Sequence, residues 1–147
     1  MSYQFKLEKI MNLKEREKDE SVGEYNEAVK AFQEVGQRLY ELLKKKEDLE
    51  SVKHTQIRKK ISISEIQQTE RFIKSLEQSI MHVQQLVAQS REKMNVKEVK
   101  LVEKNIEVKK FERIKENQWN SHQESLKFEE KKLMDEISIQ QYMHRGS

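Results

Sequence analysis

No proline interrupts this chain of 147 residues, and only three glycines do, while apolar residues recur along it at alternating steps of three and four. Proline ends or kinks a helix by removing a backbone donor and clashing with the preceding turn. A chain without one is free to run in very long helices. The alternating step is the a/d pattern of a coiled coil, in which a narrow apolar stripe faces a partner helix. Rods of helix, not a globule with pockets, are what such a chain can form.

Composition narrows this further. Charged residues make up 37% of the chain, well above the usual ~25%. Apolar residues are 35% and spread thinly, so the chain holds itself together along a seam and not around a centre. Charges of both signs interleave, as on the flanks of a coiled coil, and Lys plus Arg exceed Asp plus Glu by 29 − 26 = 3. That balance leaves no strong field to draw nucleic acid or an anionic membrane. With no cysteine there is no disulfide framework and no thiolate chemistry. Met1 to Leu13 carry a charge every few positions, without the apolar stretch of a secretory signal. No apolar run approaches the ~20 residues that span a bilayer. The expectation is a soluble cytoplasmic protein with no direct membrane insertion.

The spacing predicts an all-α fold: a helix over about 3–58, a turn over about 59–63 and a second helix over about 64–143, packed as one antiparallel coiled-coil hairpin and a single elongated domain, 1–147. In the first helix the seam reads Val22, Tyr25, Val29, Phe32, Leu39 and Leu43, with Gly36 in the slot after Phe32. Gly36 marks either a close helix approach or a soft point, since glycine costs ~1 kcal/mol relative to alanine inside a helix. The break comes at Lys59 to Ser64, where Ser62 followed by Glu65 has the spacing of a capping box. Beyond it Ile73, Ile80, Val87, Met94, Leu101 and Val108 repeat by seven, and Leu76, Val83 and Phe111 fill alternate slots that Ser90, Lys97 and Lys104 also occupy. The polar slots near Lys97 and Lys104 either allow bending or hold lysines whose stems lie along the seam while their ammonium groups reach water. The stripe resumes less regularly through Ile114, Trp119, Leu126, Leu133 and Ile137.

Matching the helices outward from the turn places Tyr3 to Phe5 opposite about Gln118 and Trp119. The second helix then overhangs from about Asn120, exposing Leu126, Phe128, Leu133, Met134, Ile137, Ile139, Tyr142 and Met143. Such a surface wants a partner.

Chemistry is not expected. His54, His82, His122 and His144 are isolated, Gly23, Gly36 and Gly146 form no phosphate loop, and carboxylates on a helix surface lack the dehydrated cleft that shifts a pKa. No catalytic residue, cofactor or metal site is assigned. The basic runs Lys44-Lys45-Lys46 and Arg58-Lys59-Lys60 read as solvated helix surface, the second with enough exposure to make an electrostatic contact. Phe72, Leu76, Ser79 and Val83 form a strip at steps of four, three and four along one edge. Phe72 either folds over the seam and widens the core or lines a docking edge for another protein.

Several blocks resemble the flagellar FliJ family: Tyr3-Gln4-Phe5-Lys6-Leu7-Glu8-Lys9-Ile10, Ile61-Ser62-Ile63, Phe72-Ile73-Lys74-Ser75-Leu76-Glu77-Gln78-Ser79-Ile80, Glu103-Lys104-Asn105-Ile106-Glu107-Val108-Lys109-Lys110-Phe111-Glu112 and Lys131-Lys132-Leu133-Met134-Asp135-Glu136-Ile137. They span nearly the whole chain. The resemblance implies a non-enzymatic component of the flagellar type III export apparatus, similar to the central stalk of rotary ATPases. It implies that the helix ends, here Phe5, Leu7, Leu126, Leu133, Met134 and Ile137, enter the hexameric export ATPase FliI, and that the strip Phe72, Leu76, Ser79 and Val83 meets the cytoplasmic domain of the export gate FlhA. Export chaperones are further implied partners. A monomer in isolation, held peripherally at the membrane through the apparatus, is the matching expectation. A scaffold or intermolecular dimer without ATPase coupling would use the same seams, and nucleic-acid binding is disfavoured by the charge balance.

Overall fold

The computed structural model describes residues 5–146 and consists of two helices, α1 (Glu8–Arg58) and α2 (Ile63–Arg145). They pack as an antiparallel hairpin, with α2 the longer. Tyr3, Gln4 and Ser147 lie outside the described residues. Helix α1 begins at Glu8 and not near Tyr3: Lys6 and Leu7 form a turn in which the Phe5 carbonyl accepts from the Glu8 amide at 3.1 Å.

Both sides of the hairpin turn are capped. At the end of α1 the Ile61 amide donates to the Gln56 carbonyl (3.0 Å) and the Lys60 amide to the Ile57 carbonyl (3.2 Å), the bonding of a Schellman motif. That motif needs a left-handed residue, and Lys60 supplies it with φ 54°. Ser62 then caps α2, its hydroxyl accepting from the Glu65 amide at 3.4 Å, as the serine-to-glutamate spacing predicts. Ile61 and Ile66, both half-buried, hold the two positions of a hydrophobic staple around this cap.

The chain packs as two compact units, each closed by its own stretch of seam. In the unit formed by Glu20–Val102, α2 buries Ile73, Ile80 and Val83, members of the heptad that its spacing predicts, and also Thr69, which that reading does not include. Burying such an aliphatic side chain contributes roughly 1.5–3 kcal/mol each. On α1 Tyr25, Phe32 and Leu39 face the seam as expected, but the alternate line falls one residue earlier than the reading through Val22, Val29, Gly36 and Leu43. Ser21 and Ala28 are buried, Val35, Leu42 and Leu49 half-buried, and Leu43 is exposed. The register bracketed by the Glu24–Lys97 and Lys46–Glu77 pairs puts Ser21 and Ala28 at the level of Leu101 and Met94. Small residues there accommodate long ones, a complement invisible when one helix is read alone. Gly36 has open space around it, so it marks no close approach.

Lysines in the seam turn out to be paired. Lys46 reaches Glu77 and Lys53 reaches Glu70, both at 3.5 Å, and each partner advances by seven from one pair to the next. Further along, Glu24 receives Lys97 at 3.2 Å and Lys100 at 3.0 Å. Near the turn, Gln56 accepts from the buried Thr69 hydroxyl at 3.0 Å. In the unit formed by residues 5–19 and 103–146, Met11 and Val108 are buried. There Lys104 meets Glu17 at 3.2 Å, Lys14 meets Glu107 at 3.4 Å and Lys115 meets Glu8 at 3.2 Å. Except for Lys100, which flanks the seam, the lysine stem occupies a core slot and the ammonium group ends on a glutamate flanking the opposite seam.

Two outcomes follow from this packing. Lys60→Gly removes the side-chain cost of the left-handed conformation and is expected to stabilise the chain by about 1 kcal/mol in denaturant unfolding. The second concerns pH. Lys104 hydrogen-bonds Glu17 and holds it below its usual 4.5, Lys100 and Lys97 do the same for Glu24, and Glu107 holds Lys14 above its usual 10.5. The carboxylates' contribution is therefore complete above 4.5 and lost as pH falls through their lowered folded values. The Lys14 contribution is complete below 10.5 and lost as pH rises through its raised value. Melting followed by circular dichroism should show a flat optimum that falls away on both sides, and Glu17→Gln with Glu24→Gln should flatten the acid limb.

Candidate functional site

Residues 72, 76, 79 and 83 do not form a uniform strip. In the heptad of α2, Leu76 and Val83 are core positions and Phe72 and Ser79 flank them. Phe72 is 56% exposed, Leu76 half-buried and Ser79 exposed, whereas Val83 is 2% exposed. Steps of four, three and four alternate between flank and core, so Val83 lies beneath the edge as part of its floor.

The structure adds the α1 half of this edge, which sequence reasoning missed. One shallow groove lies between Phe72, Leu76 and Leu49, and a second between Ser79, Val83 and Leu42. Lys45 lines both, and Arg38 stands beside the second. The cross-helix pairs Lys46–Glu77 and Lys53–Glu70 sit on the opposite flank of α2, so an apolar floor is left on the Phe72 side, bordered by charges of both signs: Lys45 and Asp48 at the first groove, Arg38, Glu41 and Lys45 at the second. Pairing the α1 heptads against the turn would have located Leu42 and Leu49.

The helix-end residues separate into two groups within their own unit. Phe5 is buried, with the Lys115 ammonium 6.0 Å from its ring centroid, and lies in a groove shared with Met11 and Trp119; Leu7 is half-buried. Leu126, Leu133, Met134 and Ile137 are exposed. The first two therefore close the end of the paired region, and the other four belong to the unpaired stretch of α2. Within that stretch Trp119, Leu126 and Leu133 recur at steps of seven, with Ile137 four residues beyond Leu133, on a line offset from the Val108–Lys115 line of the paired seam. Met134 borders this stripe, and the Trp119 and His122 rings meet at its start, 6.2 Å apart.

Among the described residues, no group of three or more metal-ligating side chains converges, and no helix is long and apolar enough to cross a membrane. A sequence model described as "Flagellar FliJ protein" matches residues 3–147. The chain belongs to the flagellar FliJ family. A "Flagellar FliJ protein" from Bacillus subtilis (strain 168) is 43% identical over 146 residues, covering 99% of this chain and 99% of that protein. No solved structure matches. Membership makes this FliJ-family chain a component of the flagellar export apparatus.

Burial separates the residues of the Phe72 edge experimentally. Val83→Ala is expected to cost about 2 kcal/mol of stability through the cavity it leaves, and Phe72→Ala less than about 1 kcal/mol. Urea unfolding of the two variants measures the contrast.

Proposed function

We propose that this chain is a non-enzymatic, central-stalk-like partner of the hexameric export ATPase FliI that also binds the cytoplasmic domain of the export gate FlhA and helps handle export chaperones. In this reading it acts as a single coiled-coil domain over 1–147, monomeric in isolation, cytoplasmic and held peripherally at the membrane by the apparatus. The observation that carries the reading is the unpaired end of α2, a helix with no facing strand of the hairpin and an apolar stripe through Leu126, Leu133 and Ile137. An apolar stripe that faces no second helix among the described residues suits contact with the wall of a surrounding ring. Stalk action needs only different contacts with successive states of that ring. The Phe72 edge supports the second contact: Phe72, Leu76 and Ser79 face outward over a floor that Val83 holds up.

Adding the purified chain to its cognate export ATPase is expected to raise both turnover and ring formation, and Leu133→Asp with Ile137→Asp to remove the effect while helicity persists. A folded wild-type chain that changes neither would leave a passive scaffold and end the stalk reading. On the gate side, Phe72→Ala with Leu76→Ala should weaken binding about tenfold or more with helicity retained. Loss of helicity alongside binding would return Phe72 to the core.

A further inference from the structure

The outward face of α2 carries a run of aliphatic side chains. At the positions of α1 turned away from the seam stand Lys30, Gln33, Gln37, Tyr40, Lys44 and Glu47, polar or amphipathic throughout, as a solvated helix face requires. The equivalent positions of α2 from Gln85 to Val102, all within one compact unit, are Gln85, Ala88, Glu92, Asn95, Val99 and Val102. One charge in that stretch contrasts with 37% over the chain. Val96 adjoins them, and Val96, Val99 and Val102 are 55%, 58% and 52% exposed. Branched side chains are poorer helix formers than glutamate, lysine or glutamine. On an open face these valines gain little burial in return.

Charge around the stripe indicates what covers it. Lys97 and Lys100 are drawn away across the seam to Glu24. Glu92 on the stripe and Glu98 at its border enter no ion pair among the described residues; Arg91, on the same border as Glu98, is turned toward α1 over the Phe32 ring at 5.7 Å, and Lys93 lies beyond the other border. The small residues Ala88 and Asn95, one heptad apart, leave room for the ridge of a third helix. We propose that this face docks an amphipathic α-helix of a partner protein, apolar along its contact stripe and bearing lysine or arginine against Glu92 and Glu98. The contact lies on a different face from the Phe72 groove and away from the unpaired end of α2, so it stands independently of the reading above.

The test uses the full chain and two synthetic helices of about three heptads, identical along an apolar a/d stripe, one with lysine and one with glutamate at the flanks. Amide shifts in two-dimensional NMR locate binding and titration measures it. The lysine-flanked helix is expected to perturb Ala88, Asn95, Val99 and Val102, and to bind about tenfold more tightly than the glutamate-flanked one. Val96→Lys with Val99→Lys should abolish those shifts while the unfolding midpoint stays level or rises, which separates lost docking from lost folding. Shifts confined to the Phe72 groove or the unpaired end, equal affinity for both helices, no binding, or self-association that the double variant removes would each overturn the proposal.

Discussion

The heptad seam between α1 and α2 is the constraint on which everything else depends. Helices this rich in charge have one narrow apolar stripe each, and turning those stripes toward one another is how Ile73, Ile80, Val83 and Val108 leave water. Register then decides what the surface displays. The seven-residue advance from Lys46–Glu77 to Lys53–Glu70 shows how it is held: lysine in the seam, glutamate beside it, repeated in step with the core. A slip by one residue would take both the apolar layers and these pairs out of alignment.

Such pairs add little to stability at a half-exposed surface, where water and salt screen them. Their value lies in specificity, since each lysine in a core slot tolerates few alternative neighbours. The same economy explains the edges. Near the turn the ion pairs gather on one flank of α2, leaving Phe72, Leu76 and Ser79 on the other with α1 leucines beneath them. In the unit formed by residues 5–19 and 103–146, Phe5 is buried beneath Lys115, and α2 continues with Leu126, Leu133 and Ile137 exposed.

Much of this was legible in the residues. The seven-residue ladder of α2, the cap at Ser62 and the unpaired stretch after Asn120 follow from spacing, because one helix's periodicity is a property of its own sequence. The α1 seam was only half legible. Val22, Val29 and Leu43 look like better core residues than Ser21, Ala28 and Leu42, and only the facing side chains show that small residues suit those layers. The inward turn of Val83 was not legible for a related reason: a constant step along the chain does not say which members of a strip face inward once a second helix arrives.

Sequence alone determined that the chain is two long helices with one break, that its lysines and glutamates interleave, and that it belongs with the flagellar FliJ proteins. Those properties are local or cumulative, and need no knowledge of what packs on what. The tertiary structure decided which flank of α2 is spent on ion pairs, that Val83 is floor and Phe72 is surface, and that Phe5 is covered while Leu133 and Ile137 are not. Exposure is a relation between two helices in one register, and a single helix carries no record of it.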